Sequence, residues 1–304
     1  MKNNPTCIVI LNYQNALKTI ACLKSLVSLK GGFDIHLIDN ASKDGSSELL
    51  YSMTTKMTTQ LNSKILFHSN SDNFGFAGGQ NPHITNLLEK QYQYFWLLNN
   101  DTIVEPNTLV HILNKFSQDE DLGIVGSKLL YPNGNIQTLG GAQISSFFGT
   151  TQYIKEEHDL NKLAYINGAS FCVKREVIEK VGVLPDAYFL YFEEVDYCYQ
   201  VKKAGYNIGV ALDSIVIHDE GSTTHQGQPS NSLLDTLMIS NRYLFHKRHL
   251  GSIIGRLLAL VISILIRIKR LQFKRIIPII RASFSESFRL NVITQLKNQG
   301  IAKN

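Results

Sequence analysis

The sequence predicts an α/β fold: a mostly parallel, doubly wound sheet followed by a basic, amphipathic helical tail. Three observations carry that expectation. Short apolar runs recur four times before residue 100, each followed by a stretch with helical spacing, and β-then-α repetition builds a parallel sheet. The runs are apolar throughout rather than alternating, as strands covered on both faces are. Each run stops at a polar cluster, and open α/β sheets bind ligands beyond the carboxyl ends of their strands.

The bulk numbers agree. A chain of 304 residues, 44% apolar and 18% charged, can bury a full core as one large domain or two small ones. Cys7, Cys22, Cys172 and Cys198 lie in apolar contexts without metal-ligand spacing, which reads as buried free thiols in a reducing compartment. No basic, apolar and small-residue leader precedes the first run, so the expected location is cytoplasmic.

Cys7 to Tyr13 read as the first strand, ending at Asn12 and Tyr13. Leu17, Ile20, Ala21 and Leu23 then fall at helical spacing, and Gly31-Gly32 end that helix. Phe33 to Ile38 form the second strand, closed by the polar loop Asp39 to Ser46, with Ser46 or Ser47 as helix cap. Lys64 to His68 form the third strand, followed by the loop Asn70 to Asn81 and a helix to about Lys90. Tyr94 to Leu98 form the fourth. It breaks abruptly into Asn99-Asn100-Asp101-Thr102, residues that also favour turns. A carboxylate flanked by amides at a strand end is a hard-oxygen site suited to Mg²⁺ or Mn²⁺ with a bound phosphate.

The pattern then loosens. Ile124 to Tyr131 read as a strand with a hairpin turn at Pro132 to Asn135, and residues 143–162 as a mobile polar loop. Tyr165 to Arg175 are strand-like and lead into a helix ending at Gly182. Phe189 to Tyr199 open another, stopped at Ala204-Gly205. Ile208 to Ile217 form the last strand, ending at His218-Asp219-Glu220-Gly221-Ser222.

Several of these strings occur together in order: Asn12-Tyr13, Ile38-Asp39-Asn40-Ala41-Ser42 with Asp44-Gly45-Ser46, Asn73-Phe74-Gly75-Phe76-Ala77, Leu98-Asn99-Asn100-Asp101, Gly168-Ala169-Ser170, Tyr191-Phe192-Glu193-Glu194-Val195-Asp196, and His218 with Gly221-Ser222. Over roughly residues 5–250 the chain resembles the family-2 inverting glycosyltransferases of GT-A fold, most closely their rhamnosyltransferase-like branch. The resemblance implies a nucleotide-sugar-binding half in residues 1–122, an acceptor and catalytic half in 123–250, and the tail in 251–304. It implies a nucleoside diphosphate sugar held by Asn12, Tyr13, Asp39, Asn40, Asp44, Asn73, Gly75, Phe76, Ala77, Asn81, Asn99 and Asn100, with Asp39 on the base. Asp101 matches the last acid of the Asp-x-Asp metal motif, whose first acid is here Asn99, and His218 completes the metal site. Inverting transfer needs one base for the acceptor hydroxyl. By position that base is Glu194, with Asp196 as runner-up and Glu193 beside them.

The net charge of +5 is concentrated in the tail: from Asp235 to Glu286 no acid intervenes, while ten Arg and Lys residues do. That asymmetry points to a membrane surface or nucleic acid, and without interleaved basic and aromatic residues nucleic acid is excluded. Leu257 to Ile266 are uninterruptedly apolar but short of the ~20 residues of a spanning helix. Arg256, Ser263, Arg267, Arg270 and Lys274 trace a polar stripe, which fits a helix in the membrane interface with its basic face on anionic headgroups. A helix packed on the domain or on a partner is the alternative, and a span with Arg256 snorkelling is another.

The resulting expectation is a peripheral enzyme on the inner face of the cell membrane. It would move a sugar, rhamnose from dTDP-rhamnose first, to a cell-surface polysaccharide or lipid-linked glycan. The rival is a catalytically inactive sugar-nucleotide-binding partner in a polysaccharide assembly complex. A nucleotidyltransferase would need a basic, Gly-rich phosphate loop after the first strand, where Asn12-Tyr13-Gln14-Asn15 stands.

Overall fold

A computed structural model describes residues 5–57, 63–219 and 231–300. β1 (Thr6–Asn12) is buried almost from end to end, and so is β2 (Phe33–Asp39), because α1 (Ala16–Leu26) and α2 (Ser46–Met57) cover the sheet beside them. β3 (Ile65–Ser69) is the half-exposed edge. α3 follows at Gly75–Leu87, so its first two turns occupy part of what the sequence reads as a loop. β4 (Tyr94–Leu98) runs parallel to β1, and the register β1–β2–β3 is parallel as well. Burial of apolar strands on both faces is the main source of stability here, at roughly 1.5–3 kcal/mol per large side chain.

Beyond β4 the sheet becomes mixed. β5 (Thr102–Val104), α4 (Thr108–Gln118) and β6 (Leu122–Leu130) come next, with β7 (Ile136–Thr138) folded back on β6. Residues 143–162, expected as a mobile loop, are largely ordered structure. β8 (Gly141–Ile144) pairs with β9 (Thr151–Tyr153) and with β10 (Tyr165–Ile166) in a separate three-stranded sheet, and a 3₁₀ turn spans Glu157–Lys162. Strands of three or four residues with polar side chains carry too little periodicity to be read, and pairing with each other is what fixes them. β11 (Ser170–Lys174) lies antiparallel between β4 and β6. α5 (Arg175–Val181) and α6 (Glu193–Lys203) precede the long β12 (Asn207–His218), which is parallel to β6 and antiparallel to β5. The main sheet thus reads β3-β2-β1-β4-β11-β6-β12-β5.

Four helices follow: α7 (Ser232–Phe245), α8 (Ile253–Lys269), α9 (Ile276–Phe284) and α10 (Glu286–Asn298). Asn231, Ser252 and Ser285 cap α7, α8 and α10 through side-chain oxygens that accept from Leu233, Gly255 and Phe288 backbone N–H groups. The polar stripe of α8 does not face outward as expected. Ser263 and Arg267 are buried against α7, where Arg242 donates to Ser263 Oγ and Arg267 forms a close ion pair with the buried Asp235. Arg275 joins them at 3.4 Å from Asp235. A buried carboxylate needs such partners, and Asp235 takes them from the stripe. The middle of the basic stripe is therefore packed, Arg270 and Lys274 at its far end are exposed, and the apolar face is left outside. Among the described residues no helix is long and apolar enough to cross a membrane.

Candidate active site

At the carboxyl ends of β1, β2 and β4 a cleft is walled by Leu11, Tyr13, Asn40, Asn73, Gly75, Phe76, Asn99, Asn100, Asp101, Phe189 and Leu190. Sequence reasoning names all but Leu11 and Leu190, with Phe189 read as part of an aromatic setting, beside the acids of α6, that can bind a sugar face. Asn40 is the hub of one wall. Its Nδ2 donates to Asn73 Oδ1 at 3.0 Å and to Gly75 O at 3.1 Å, and its Oδ1 accepts from Asn70 at 2.9 Å. Those bonds orient Asn73 so that its Nδ2, buried, is left without a partner in the protein. A buried donor without a partner, on a cleft wall, is a position for a ligand acceptor.

Other expected donor contacts lie beneath or beside the cleft. Asp39 is fully enclosed under its floor, accepting from Asn12 Nδ2 at 2.7 Å, Ser42 Oγ at 2.6 Å and Ser42 N at 3.0 Å. Asn12 Oδ1 in turn accepts from Thr19 Oγ1 at 2.7 Å, and Asn100 Nδ2 reaches Thr19 Oγ1 at 2.9 Å. The amide of Asn100 thereby ties β4 to α1. Asp44 is exposed and accepts from Asn15 N and Ser46 N, both at 3.1 Å, which is the chemistry of a helix start. Ala77 is core, and Asn81 Nδ2 donates to Leu184 O at 2.6 Å, away from the cleft.

Asp101 is the carboxylate of the cleft. It is 6% exposed, and neither oxygen has a hydrogen-bond partner. His218, at the end of β12, stands beside it: Nδ1 lies 3.0 Å from Gln137 Oε1 and Nε2 lies 3.4 Å from Asp101 Oδ1. An amide oxygen only accepts, so Nδ1–H donates to Gln137 and Nε2 is the nitrogen that faces the carboxylate. Two Lewis bases face one another, an arrangement that needs a proton or a cation between them. Burial works to raise the Asp101 pKa, but His218 and the positive charge of Lys18 outweigh it and hold the carboxyl below its usual range. Lys18, on α1, is itself placed by Asp219 at 3.1 Å.

These residues fit a divalent cation. Among the described residues no cluster of three or more His, Cys, Asp or Glu side chains could hold a metal ion. The protein therefore offers the pair Asp101 and His218, and a cation would complete its shell with diphosphate oxygens and water. Glu220, Gly221 and Ser222, which the sequence motif adds after His218, lie outside the described residues.

The acids of α6 divide sharply. Asp196 accepts from Tyr188 Oη at 2.5 Å and Gln200 Nε2 at 2.7 Å, with Arg248 at 3.2 Å and His249 at 2.8 Å. Burial works to raise its pKa, but the hydrogen bonds of His249, Tyr188 and Gln200 prevail and bring it to about 2. A carboxylate so committed anchors α6 and takes up protons poorly, against its place as runner-up base. Glu194 is different: it is 9% exposed, its Oε2 has no hydrogen-bond partner, and it abuts Gly168. Gly168 is the neighbour of Ala169, whose carbonyl accepts from Asn99 N at 3.1 Å on the cleft floor. Glu193 is buried next to it.

The loop before α6 is under conformational strain. Phe189, Tyr191 and Phe192 all have positive φ, at 65°, 68° and 76°, which side-chain-bearing residues seldom adopt except at functional sites. Two contacts hold it. Phe189 O accepts from Phe76 N at 2.8 Å across Gly75, where an added Cβ would sit 2.3 Å from that same oxygen. From α7, Asn241 Nδ2 faces the carbonyls of Tyr188, Leu190 and Tyr191 at 2.7 to 3.1 Å. Arg289 of α10 donates to Asn241 Oδ1 at 3.3 Å and to Ala187 O at 2.6 Å. Sequence reasoning gives Asn241, Arg289, Gln137 and Lys18 no role at the site. They act through partners 48 to 201 residues away in sequence, which leaves no local signal.

Comparison with known proteins fits this geometry. Residues 7–182 match the family described as glycosyl transferase family 2. The chain is 25% identical over 264 residues to the low-salt glycan biosynthesis hexosyltransferase Agl10 of Haloferax volcanii, covering 85% of this chain and 81% of that one. The mannosyltransferase PcManGT of Pyrobaculum calidifontis, solved with GDP-Man and Mn²⁺, superposes with a TM-score of 0.58 at 12% identity, over 96% of this chain and 86% of its own. GalNAc-T7, solved with UDP, GalNAc and Mn²⁺, gives 0.62 at 16% identity, over 81% and 48%. At such identities the structural likeness speaks for the fold, which is that of the GT-A glycosyltransferases.

Proposed function

The chain belongs to glycosyl transferase family 2, and from that premise we propose an inverting transferase that uses a nucleoside diphosphate sugar, a divalent cation at Asp101 and His218, and Glu194 as general base. The observation that carries this reading is Asp101: a buried carboxylate in a cleft wall, with the His218 ring 3.4 Å from one oxygen and no other side-chain hydrogen-bond partner among the described residues.

Asn73 and the walls around Asn40 and Phe76 hold the donor, and Asn99 and Asn100 frame its diphosphate end. When bound, Mg²⁺ or Mn²⁺ offsets the charge that builds on the departing diphosphate. Glu194 Oε2 accepts the proton of the acceptor hydroxyl as that oxygen attacks the anomeric carbon opposite the diphosphate, giving inversion. Asp196 fixes the start of α6, and Asn241 with Arg289 fixes the loop that delivers Glu194. Low exposure keeps water from competing for the donor.

The donor sugar is a hexose or deoxyhexose, with rhamnose from dTDP-rhamnose first among those to test; GDP-mannose and UDP-N-acetylhexosamines follow from the relatives. The acceptor is a cell-surface polysaccharide or lipid-linked glycan, reached from the inner membrane surface. The test is calorimetric titration of a nucleoside diphosphate sugar panel with and without Mn²⁺, followed by transfer assays. Metal-dependent binding of one donor supports the reading; no binding of any donor would remove it.

A further inference from the structure

We propose that the exposed apolar face of α8 and α9 is the surface by which the protein inserts into an anionic lipid bilayer, an inference that rests on the membrane-surface reading of the function and makes the apolar face, with the exposed end of the basic stripe at its edge, the contact. Along α8 the exposed apolar residues fall in two adjacent rows, each with about one turn between members: Ile253, Leu257, Val261 and Leu265, beside Ile254, Leu258, Ile262 and Ile266. Ile254 is 69% exposed, Leu271 just beyond the helix is 77% exposed, and Ile277 and Phe284 of α9 are 62% and 61% exposed. Isolated exposed apolar side chains are ordinary, but a contiguous face of them marks an interaction surface.

The helix is not placed there for want of partners. The buried ion pair of Arg267 and Asp235 fixes its rotation, so the apolar side points outward in the folded protein.

Charge names the occupant. Lys269, Arg270, Lys274 and Arg281 are exposed at the edge of the apolar face, and no acid lies between Asp235 and Glu286. Among the described residues none of Lys269, Lys274 and Arg281 has a carboxylate within ion-pair distance. A second copy docking the same face would set these cations against their equals. Lipid phosphates supply the missing anions while acyl chains cover the isoleucines and leucines, which is how interfacial helices bind.

The experiment is flotation of the full chain with vesicles of phosphatidylcholine alone and of phosphatidylcholine mixed with phosphatidylglycerol. Sedimentation of lipid-free protein is run alongside, together with transfer to a soluble acceptor. The wild-type protein is expected to bind mixed vesicles about tenfold or more over neutral ones. Ile254→Glu/Leu258→Glu/Ile262→Glu is expected to abolish flotation with an unchanged thermal melt, and Arg270→Glu/Lys274→Glu to erase the preference for the mixed vesicles. Absence of flotation, or a lipid-free dimer that the triple substitution dissociates, would overturn the proposal. Turnover is read separately: flotation without transfer of any sugar leaves the surface standing and removes the transferase reading, and transfer without flotation does the reverse.

Discussion

His218 Nε2 faces Asp101 Oδ1 across 3.4 Å while its Nδ1–H is committed to Gln137. In the proposed reading metal binding turns on Nε2, because a protonated Nε2 would repel the cation that the pair would hold. β12 carries the histidine and β4 the run into the aspartate, so the site is assembled by the sheet rather than by a loop.

Gln137→Leu removes the acceptor that fixes this tautomer without touching the cleft. Partners of this kind are worth about 10–100-fold in metal affinity. The expected outcome is a rise of that size in the Mn²⁺ concentration needed for half-maximal turnover, with little change in donor affinity at saturating metal. An unchanged Mn²⁺ requirement would mean that the ring finds its orientation elsewhere.

Glu194→Gln keeps the shape and removes the base. Transfer is expected to fall by about 10²–10⁴-fold, while calorimetric binding of the donor stays within experimental error. Donor affinity that collapses together with rate would assign Glu194 to binding.

Asp196 makes a separable claim. Its folded pKa of about 2 lies below its ordinary value of 3.8, so the stability it contributes is fully present above pH ~4 and is lost as pH falls from there through ~2. The shift is worth about 2 kcal/mol or less. In urea denaturation, Asp196→Asn is expected to be less stable than wild type at pH 5, with the gap narrowing steadily below pH 4. A constant gap would locate the role of Asp196 in packing.

Gly75→Ala places a Cβ 2.3 Å from Phe189 O at a φ of +78°. The strained Phe189–Phe192 loop must yield, since the helix behind Gly75 cannot. A loss of about 1–3 kcal/mol in stability is expected, with donor affinity falling in parallel because Phe189 and Leu190 wall the cleft. Full donor affinity in a destabilised variant would show that this wall is not used.

Much of this site is legible from residues alone, and the exceptions have physical causes. Tyr94 to Leu98 announce a buried strand, and their break into Asn99-Asn100-Asp101 marks the cleft, because period and polarity change at one point. Phe189 is legible as an aromatic beside the acids, but its place on the cleft wall with Leu190 is not, because a positive φ at a phenylalanine has no sequence signature; it is held by Gly75 and Asn241 from distant elements. Residues 141–153 escape because two short strands pair mainly with each other and bury little. The helix at 253–269 is legible as amphipathic, but a helical wheel has no inside. Asp235, thirty-two residues before Arg267, decides which face turns to the protein.

The most direct test of the whole account is donor binding to Asp101→Asn, titrated with and without Mn²⁺ beside the wild-type protein. The substitution conserves volume and removes the charge. Wild type is expected to bind one nucleoside diphosphate sugar at least tenfold more tightly with Mn²⁺, and Asp101→Asn to bind it weakly and equally in both conditions. An Asp101→Asn protein that retains the full Mn²⁺ enhancement would contradict the account, because the cation would then be held by something other than the pair Asp101 and His218.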